Sequence, residues 1–356
     1  MASLIVDSHL DLAMNAVQVN RDITQDARTI RAHDPRQVLL EFGSSTVGLP
    51  DLRHGEIGIV FGTVIARIDR DPRNSRIGMY TQSQCYAAAR AHHAYYQALE
   101  RRGEVRLVHS SADLDDIAAA WGASPIGSPI GLVLTMESAD PILGPTSVPE
   151  WRALGLRMVS LSHYGVSTYC FGTGTEGGLL PAAKPLLSAL EENRIIVDLT
   201  HTADQAFWEV LDNFGGQVAA SHHNCRALVP GQRQLTDDMI REIVGRDGVI
   251  GSALDAWMLD PKWDRRRRAF EQATAATLES VADHIEYVCA LAGTSRHAGI
   301  GSDLDGGYGQ EQSPRDLNTI ADMQRFDAIL RNRGFSDEDV SNVLSGNWIR
   351  LMRQAM

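Results

Sequence analysis

The sequence predicts an α/β fold, a (β/α)₈ TIM-like barrel with long loops and extra C-terminal helices. Three observations point there. Eight short β-branched or aliphatic runs, each bounded by turn residues, read as strands buried on both faces. Amphipathic helical stretches separate most of them, the alternation expected of a parallel sheet wrapped by helices. The C-terminal ends of the runs collect imidazoles and carboxylates, and in such a barrel those ends converge on one mouth where active sites are built. A doubly wound open sheet is the alternative fold.

The predicted strands, in order, are Leu4–His9, Ile57–Ile65, Gly131–Glu137, Arg157–His163, Ile195–His201, Gln217–His222, Gly248–Leu254 and Ala298–Asp303. Thr81–Arg102 is an Ala-rich helix closed by Gly103, a residue suited to the left-handed position after a helix. Ala203–Phe214 follows Thr202 and Asp237–Val244 follows Thr236, each threonine a candidate N-cap. Gln272–Ala292 has helical periodicity and ends near Gly293. The 356 residues exceed the roughly 250 typical of this barrel. The excess lies in the loops Asn20–Leu52 and Tyr164–Leu180 and in helices after Ser313. No repeat, low-complexity linker or composition break divides the chain, so residues 1–356 are expected to form one domain.

The charge balance is acidic, with a formal net charge of −12. That argues against non-specific binding to nucleic acid or to an anionic membrane surface. The one basic run, Arg265–Arg268, reads as a solvated helix start. Cys85, Cys170, Cys225 and Cys289 include no CxxC pair and read as reduced thiols. No apolar run approaches the roughly 18–20 residues of a membrane span, and no signal peptide is visible, so the expected location is cytoplasmic. Lys184 and Lys262 are the only lysines. A metal site bridged by a carbamylated lysine would need one of them, and neither ends a predicted strand.

The strand ends carry the chemistry. The first runs into Asp7-Ser8-His9-Leu10-Asp11; others end in Glu137, His163, His201, His222 and Asp303. Residues two apart in a strand share a side, so His9 and Asp11 can aim at one ion. His201 and His222 come from successive strands and can hold a second. Imidazole with carboxylate suits zinc or a similar divalent metal. Glu137, with two oxygens, is the sensible bridge. Other histidines look structural: His92, His93 and His284 lie inside helices, and His33, His54, His109 and His297 in or near loops. His223 would point away from His222. Gly172-x-Gly174-x-x-Gly177 falls in a long loop rather than at a strand-to-helix turn, and reads as a flexible or substrate-covering segment.

Seven stretches, in order from residue 7 to residue 350, carry a family resemblance: Asp7–Leu12, Met136–Asp140, Ser160–His163, Asp198–His201, Ala220–Leu228, Ile300–Gly306 and Ser345–Arg350. With them the chain resembles the renal (membrane) dipeptidase family of zinc peptidases, within the amidohydrolase superfamily. The resemblance implies two zinc ions, the first on His9 and Asp11 and the second on His201 and His222, with Glu137 bridging. It implies that His163 polarises the scissile carbonyl and that Asp303 handles the proton. Arg233 would grip the substrate's terminal carboxylate, a task suited to a planar fork, with Arg226 nearby as a competitor. Ser138 departs from the pattern, standing where a glycine is usual. The expected activity is hydrolysis of small dipeptides, L,L and by resemblance L,D, by a hydroxide shared between the metals. A homodimer is the family-level expectation. The alternatives are a binuclear hydrolase of another amide, such as an N-acyl amino acid or cyclic amide, and a binding protein without catalysis.

Overall fold

The computed structural model describes residues 4–69, 77–124 and 127–356. Eight strands form the barrel: β1 (Ile5–Leu10), β2 (Ile57–Ile65), β3 (Ile130–Glu137), β4 (Leu156–Ser160), β5 (Ile196–Asp198), β6 (Val218–Ala219), β7 (Ile250–Ser252) and β8 (Ala298–Ile300). Every neighbouring pair is parallel. Asp7 opposite Ile300 joins β1 to β8, and a bridge between Ala220 and Ile250 joins β6 to β7, which closes the ring. All strand residues are buried, as continuous aliphatic runs require when helices cover the outside and side chains fill the inside.

A strand that the sequence pattern does not reveal, Val105–Leu107, pairs with the first half of β3. It shares that edge with β4, which begins pairing only at Leu134. Three residues are too short a run to stand out from the surrounding loop.

The helix expectations hold where capping chemistry is present. Gln82–Arg101 starts at a capping box made by Thr81 and Gln84 and closes before Gly103, which takes φ = 75°. Asp237–Gly245 is capped by Thr236, whose side chain accepts from the Met239 N–H. Elsewhere the boundaries move. Ala203, not Thr202, is the N-cap of Asp204–Asn213. Leu278–Ala292 begins six residues later than its pattern suggests, at a box between Thr277 and Ser280. The segment Asn20–Leu52 is not plain loop: it carries the helices Ala27–His33 and Arg36–Phe42 and the start of Leu49–His54. Tyr164–Leu180 is irregular, tied by bridges between Tyr164 and Thr173, Val166 and Phe171, and Cys170 and Leu179.

The C-terminal helices pack under the barrel. Trp348, on Asn347–Ala355, is fully buried and meets Phe61 of β2 edge-on with ring centroids 5.3 Å apart. The apolar core runs from Ile5 to Ala355 as one connected cluster. Inside the barrel, the Ser8 hydroxyl donates to the carbonyls of Ser221 (2.7 Å) and Ile300 (2.9 Å). Gly251 and Gly301 make room for this crossing: a Cβ on either would fall 2.1 or 1.8 Å from the Ser221 carbonyl oxygen. Among the described residues, no helix is long and apolar enough to cross a membrane.

Candidate metal centre

The structure places His9, Asp11, Glu137, His163, His201, His222 and Asp303 together at the C-terminal mouth of the barrel. His9 lies within β1 and Glu137 is the last residue of β3. His163, His201, His222 and Asp303 lie just beyond their strands, which are shorter than the sequence pattern suggests. His201 and Asp303 adopt left-handed φ angles of 64° and 58°, so the chain turns sharply as it leaves β5 and β8. Asp11 is the N-cap residue of helix Leu12–Val17 but makes no capping bond, which leaves its carboxyl to the centre.

Glu137 divides the cluster. Its Oε1 stands 3.2 Å from His201 Nε2 and 3.4 Å from His222 Nε2. Its Oε2 stands 3.7 Å from His9 Nε2 and 3.8 Å from His163 Nε2. His9 Nε2 is in turn 3.9 Å from Asp11 Oδ2 and 3.7 Å from Asp303 Oδ1. Three triads have donor atoms close enough to share an ion: His9–Glu137–His222, Glu137–His163–His201 and His9–Asp11–Asp303. His9 and Asp11 share the third triad, while His201 and His222 both face Glu137 Oε1. His222 sits nearer His9, with ring centroids 3.8 Å apart, than His201, at 5.2 Å.

The donor set fits divalent cations. His9 Nε2, Asp11 Oδ1 and Glu137 Oε1 are buried without a hydrogen-bond partner. An unpartnered buried polar group costs about 1–3 kcal/mol, so three on one rim need a common partner. The Nε2 atoms of His201 and His222 face each other at 3.2 Å, an arrangement that suits two lone pairs turned toward a cation. Burial first, and the Arg233 charge second, push His9 down to about 3. Burial likewise holds His163, His201 and His222 well below the usual imidazole range. Burial lifts Asp11 to about 7 and raises Glu137 and Asp303 well above ordinary carboxyls, with Asp11 adding repulsion to both. The histidines are thus neutral and ligand-competent, while the carboxyls need positive charge to ionise. Both lysines are exposed, away from the centre.

A shell of buried hydrogen bonds orients these groups. Thr173 Oγ1 lies 2.9 Å from His201 Nδ1, and Ser221 Oγ lies 2.8 Å from His222 Nδ1. Asp7 accepts from the backbone N–H groups of His9 and Ser302 and from the Ser302 hydroxyl. Sequence reasoning assigned no role to Asp7, Asp198, Thr173 or Ser221. The first two do show a signal, an acid just before each ligand-bearing turn.

Arg233 and Arg226 separate cleanly. Arg226 forms a bidentate pair with Asp204, both contacts at 2.8 Å. Arg233 is buried beside the centre: Nη2 donates to the His222 carbonyl at 3.0 Å and lies 3.2 Å from His201 Nε2. Its Nη1 has no partner. Glu137, His201, Arg233 and Asp303 line an inner recess of about 40 Å³. A wider cavity of about 460 Å³ leads to it and shares His163, Tyr164, Asp255, Trp257 and Gly306 with the recess. The basic run Arg265–Arg268 is exposed, as its sequence suggests, and Arg268 is the N-cap residue of the short 3₁₀ helix Ala269–Glu271. Beyond that reading, the Arg265 guanidinium lies 3.9 Å over the Trp257 ring and 5.8 Å over Tyr164, at the cavity mouth.

The family model for membrane dipeptidase (peptidase family M19) matches residues 1–356. Dipeptidase aclJ of Aspergillus oryzae is 29% identical over 322 residues, which cover 86% of this chain and 69% of that protein. Dipeptidase 3 of Homo sapiens is 23% identical over 364 residues, 98% of this chain and 64% of the human protein. Among solved structures, a metallo peptidase from Rhodobacter sphaeroides liganded with a phosphinate mimic of the dipeptide L-Ala-D-Ala shares the fold. It gives a TM-score of 0.80 over the whole of both chains, at 20% identity. The match along the full sequence, on a closed barrel with this rim, places the chain in the membrane dipeptidase family of metallopeptidases, peptidase family M19.

Proposed function

We propose that the protein is a zinc-dependent dipeptidase that cleaves the single peptide bond of small dipeptides, L,L and L,D. The observation that carries the proposal is Glu137, whose two oxygens face two separate sets of ligand atoms. His9 and Asp11 would hold one ion, and His201 and His222 the other. When bound, the pair would lower the pKa of a water and polarise the scissile carbonyl. The solved relative that carries a phosphinate mimic of L-Ala-D-Ala supports a D-residue at the C-terminal position.

The chain's own residues supply the rest. The free Nη1 of Arg233 is available to a substrate carboxylate entering the recess. His163 lines both the recess and the outer cavity, where it can steady charge developing on the carbonyl oxygen. Asp303, whose carboxyl is raised by burial, takes a proton from water and returns it to the leaving amine. Purified, zinc-loaded protein should hydrolyse members of an L,L- and L,D-dipeptide panel. If the whole panel stays intact, the proposal fails; if N-acyl amino acids are cleaved instead, the activity belongs to another amide.

A further inference from the structure

Behind the ligands, one chain of polar groups has a defined donor direction. Asp198 closes β5 and is buried. Its Oδ1 accepts from the backbone N–H groups of Thr200 and Ser221, both at 3.0 Å. Its Oδ2 accepts from the Ser221 hydroxyl at 2.5 Å, the length of a hydroxyl-to-carboxylate bond. The Ser221 hydroxyl has one hydrogen, and the carboxylate takes it. Only lone pairs then remain on Oγ, which lies 2.8 Å from His222 Nδ1. The second lone pair faces Thr200 Oγ1 at 3.3 Å. An oxygen that can only accept requires the imidazole to donate.

We infer that Asp198, acting through Ser221, fixes the His222 proton on Nδ1 and so keeps Nε2 as the lone pair turned toward Glu137. Asp198 is a positioning residue, since it touches neither substrate nor the ligand atom. The arrangement is a carboxylate–hydroxyl–imidazole relay, one hydroxyl longer than a direct carboxylate–histidine pair. It makes Asp198→Asn an informative near-isosteric change. The two backbone N–H groups hold the amide oxygen, so the new NH₂ faces Ser221 Oγ and donates to it. The Ser221 hydrogen then turns to its shortest remaining acceptor, His222 Nδ1, and the imidazole proton moves to Nε2.

The inference rests on the metal reading of His222, but its first readout needs no metal. Full-length protein carrying ¹⁵N-histidine reports the tautomer by long-range ¹H–¹⁵N spectra. The expected result is a protonated Nδ1 on His222 in the wild type and a protonated Nε2 in Asp198→Asn. Zinc titration should show the weaker of the two affinities falling about 10–100-fold in Asp198→Asn. Because Asp198 acts only through Ser221, Asp198→Asn with Ser221→Ala should lose no more than Ser221→Ala alone. A His222 that keeps its Nδ1 proton in Asp198→Asn, or losses that multiply in the double variant, would overturn the relay. Should Asp198→Asn not fold, Ser221→Ala decides alone: an unchanged tautomer and unchanged zinc affinity overturn it. A zinc-loaded wild type that shows the expected tautomers but turns over no dipeptide would instead count against the proposed activity.

Discussion

The Ser138 backbone N–H donates to Ser160 Oγ at 3.0 Å while Ser138 itself sits at φ = 64°. The contact ties the turn after Glu137 to the end of β4, and its left-handed geometry explains why glycine suits this position. Ser138→Val should destabilise the protein by about 2–3 kcal/mol, combining left-handed strain with loss of the 3.0 Å hydroxyl bond to Asp140. Ser138→Gly should stay within about 1 kcal/mol of wild type. Urea midpoints at constant m-value check both.

Glu137 is a buried acid and Asp303 a partly buried one on the same rim, and they should behave differently. Glu137→Gln removes the oxygen pair that faces both ligand sets, and should sharply reduce the rise in melting temperature that added zinc confers. Asp303→Asn should keep two zinc ions per chain by metal analysis and lose about 10²–10⁴-fold in kcat. Retained turnover in Asp303→Asn would remove its role as proton carrier.

Arg233 offers a test on the substrate side. Arg233→Met should lower kcat/KM for a dipeptide about 10–100-fold, the worth of a charge-assisted hydrogen bond. The same dipeptide with its C-terminus amidated should be cleaved equally slowly by wild type and variant. A loss that is the same for both substrates would place Arg233 outside carboxylate recognition.

Asp255 lines the cavity and accepts from Gln312 Nε2 at 2.9 Å and from the Trp257 N–H at 3.1 Å. Burial lifts its carboxyl to about 6, against the pull of these bonds and of Arg265 and Arg233. The folded protein holds this proton more tightly than the unfolded chain. The resulting stability is therefore present below about pH 4 and is lost as pH rises through about 6, at most about 3 kcal/mol. In Asp255→Asn that component should vanish. Urea midpoints between pH 4 and pH 7 should fall less steeply for the variant than for wild type.

The barrel was legible because its strands are aliphatic runs with a reactive residue at the end; burial on both faces alone also fits a doubly wound sheet, and eight such runs favour the barrel. The residues that meet at the rim were legible for the same reason. What escaped depended on chemistry that short windows do not show. Ala27–His33 is only seven residues, marked by its N-cap Asp26, whose side chain accepts from the Thr29 N–H. Arg265 is exposed as its run suggests, but its stacking on Trp257 and Tyr164 escaped because those rings sit on a short helix and on the Tyr164–Leu180 loop. The closeness of the His9 and His222 rings arises from barrel closure, which brings the ends of β1 and β6 across the interior. No local pattern encodes that distance.

The shared edge of β3 has a consequence for how the molecule opens. Val105–Leu107 pairs with its first half and β4 with its second, while β2 runs along the whole opposite edge. Amides of β3 should therefore be among the slowest to exchange with deuterated solvent, since releasing them means breaking both edges. Glu137 rides on that strand, whereas His201 and Asp303 sit in the turns that follow theirs. The acid proposed as the bridge is therefore the rim group that opening of the barrel would release last.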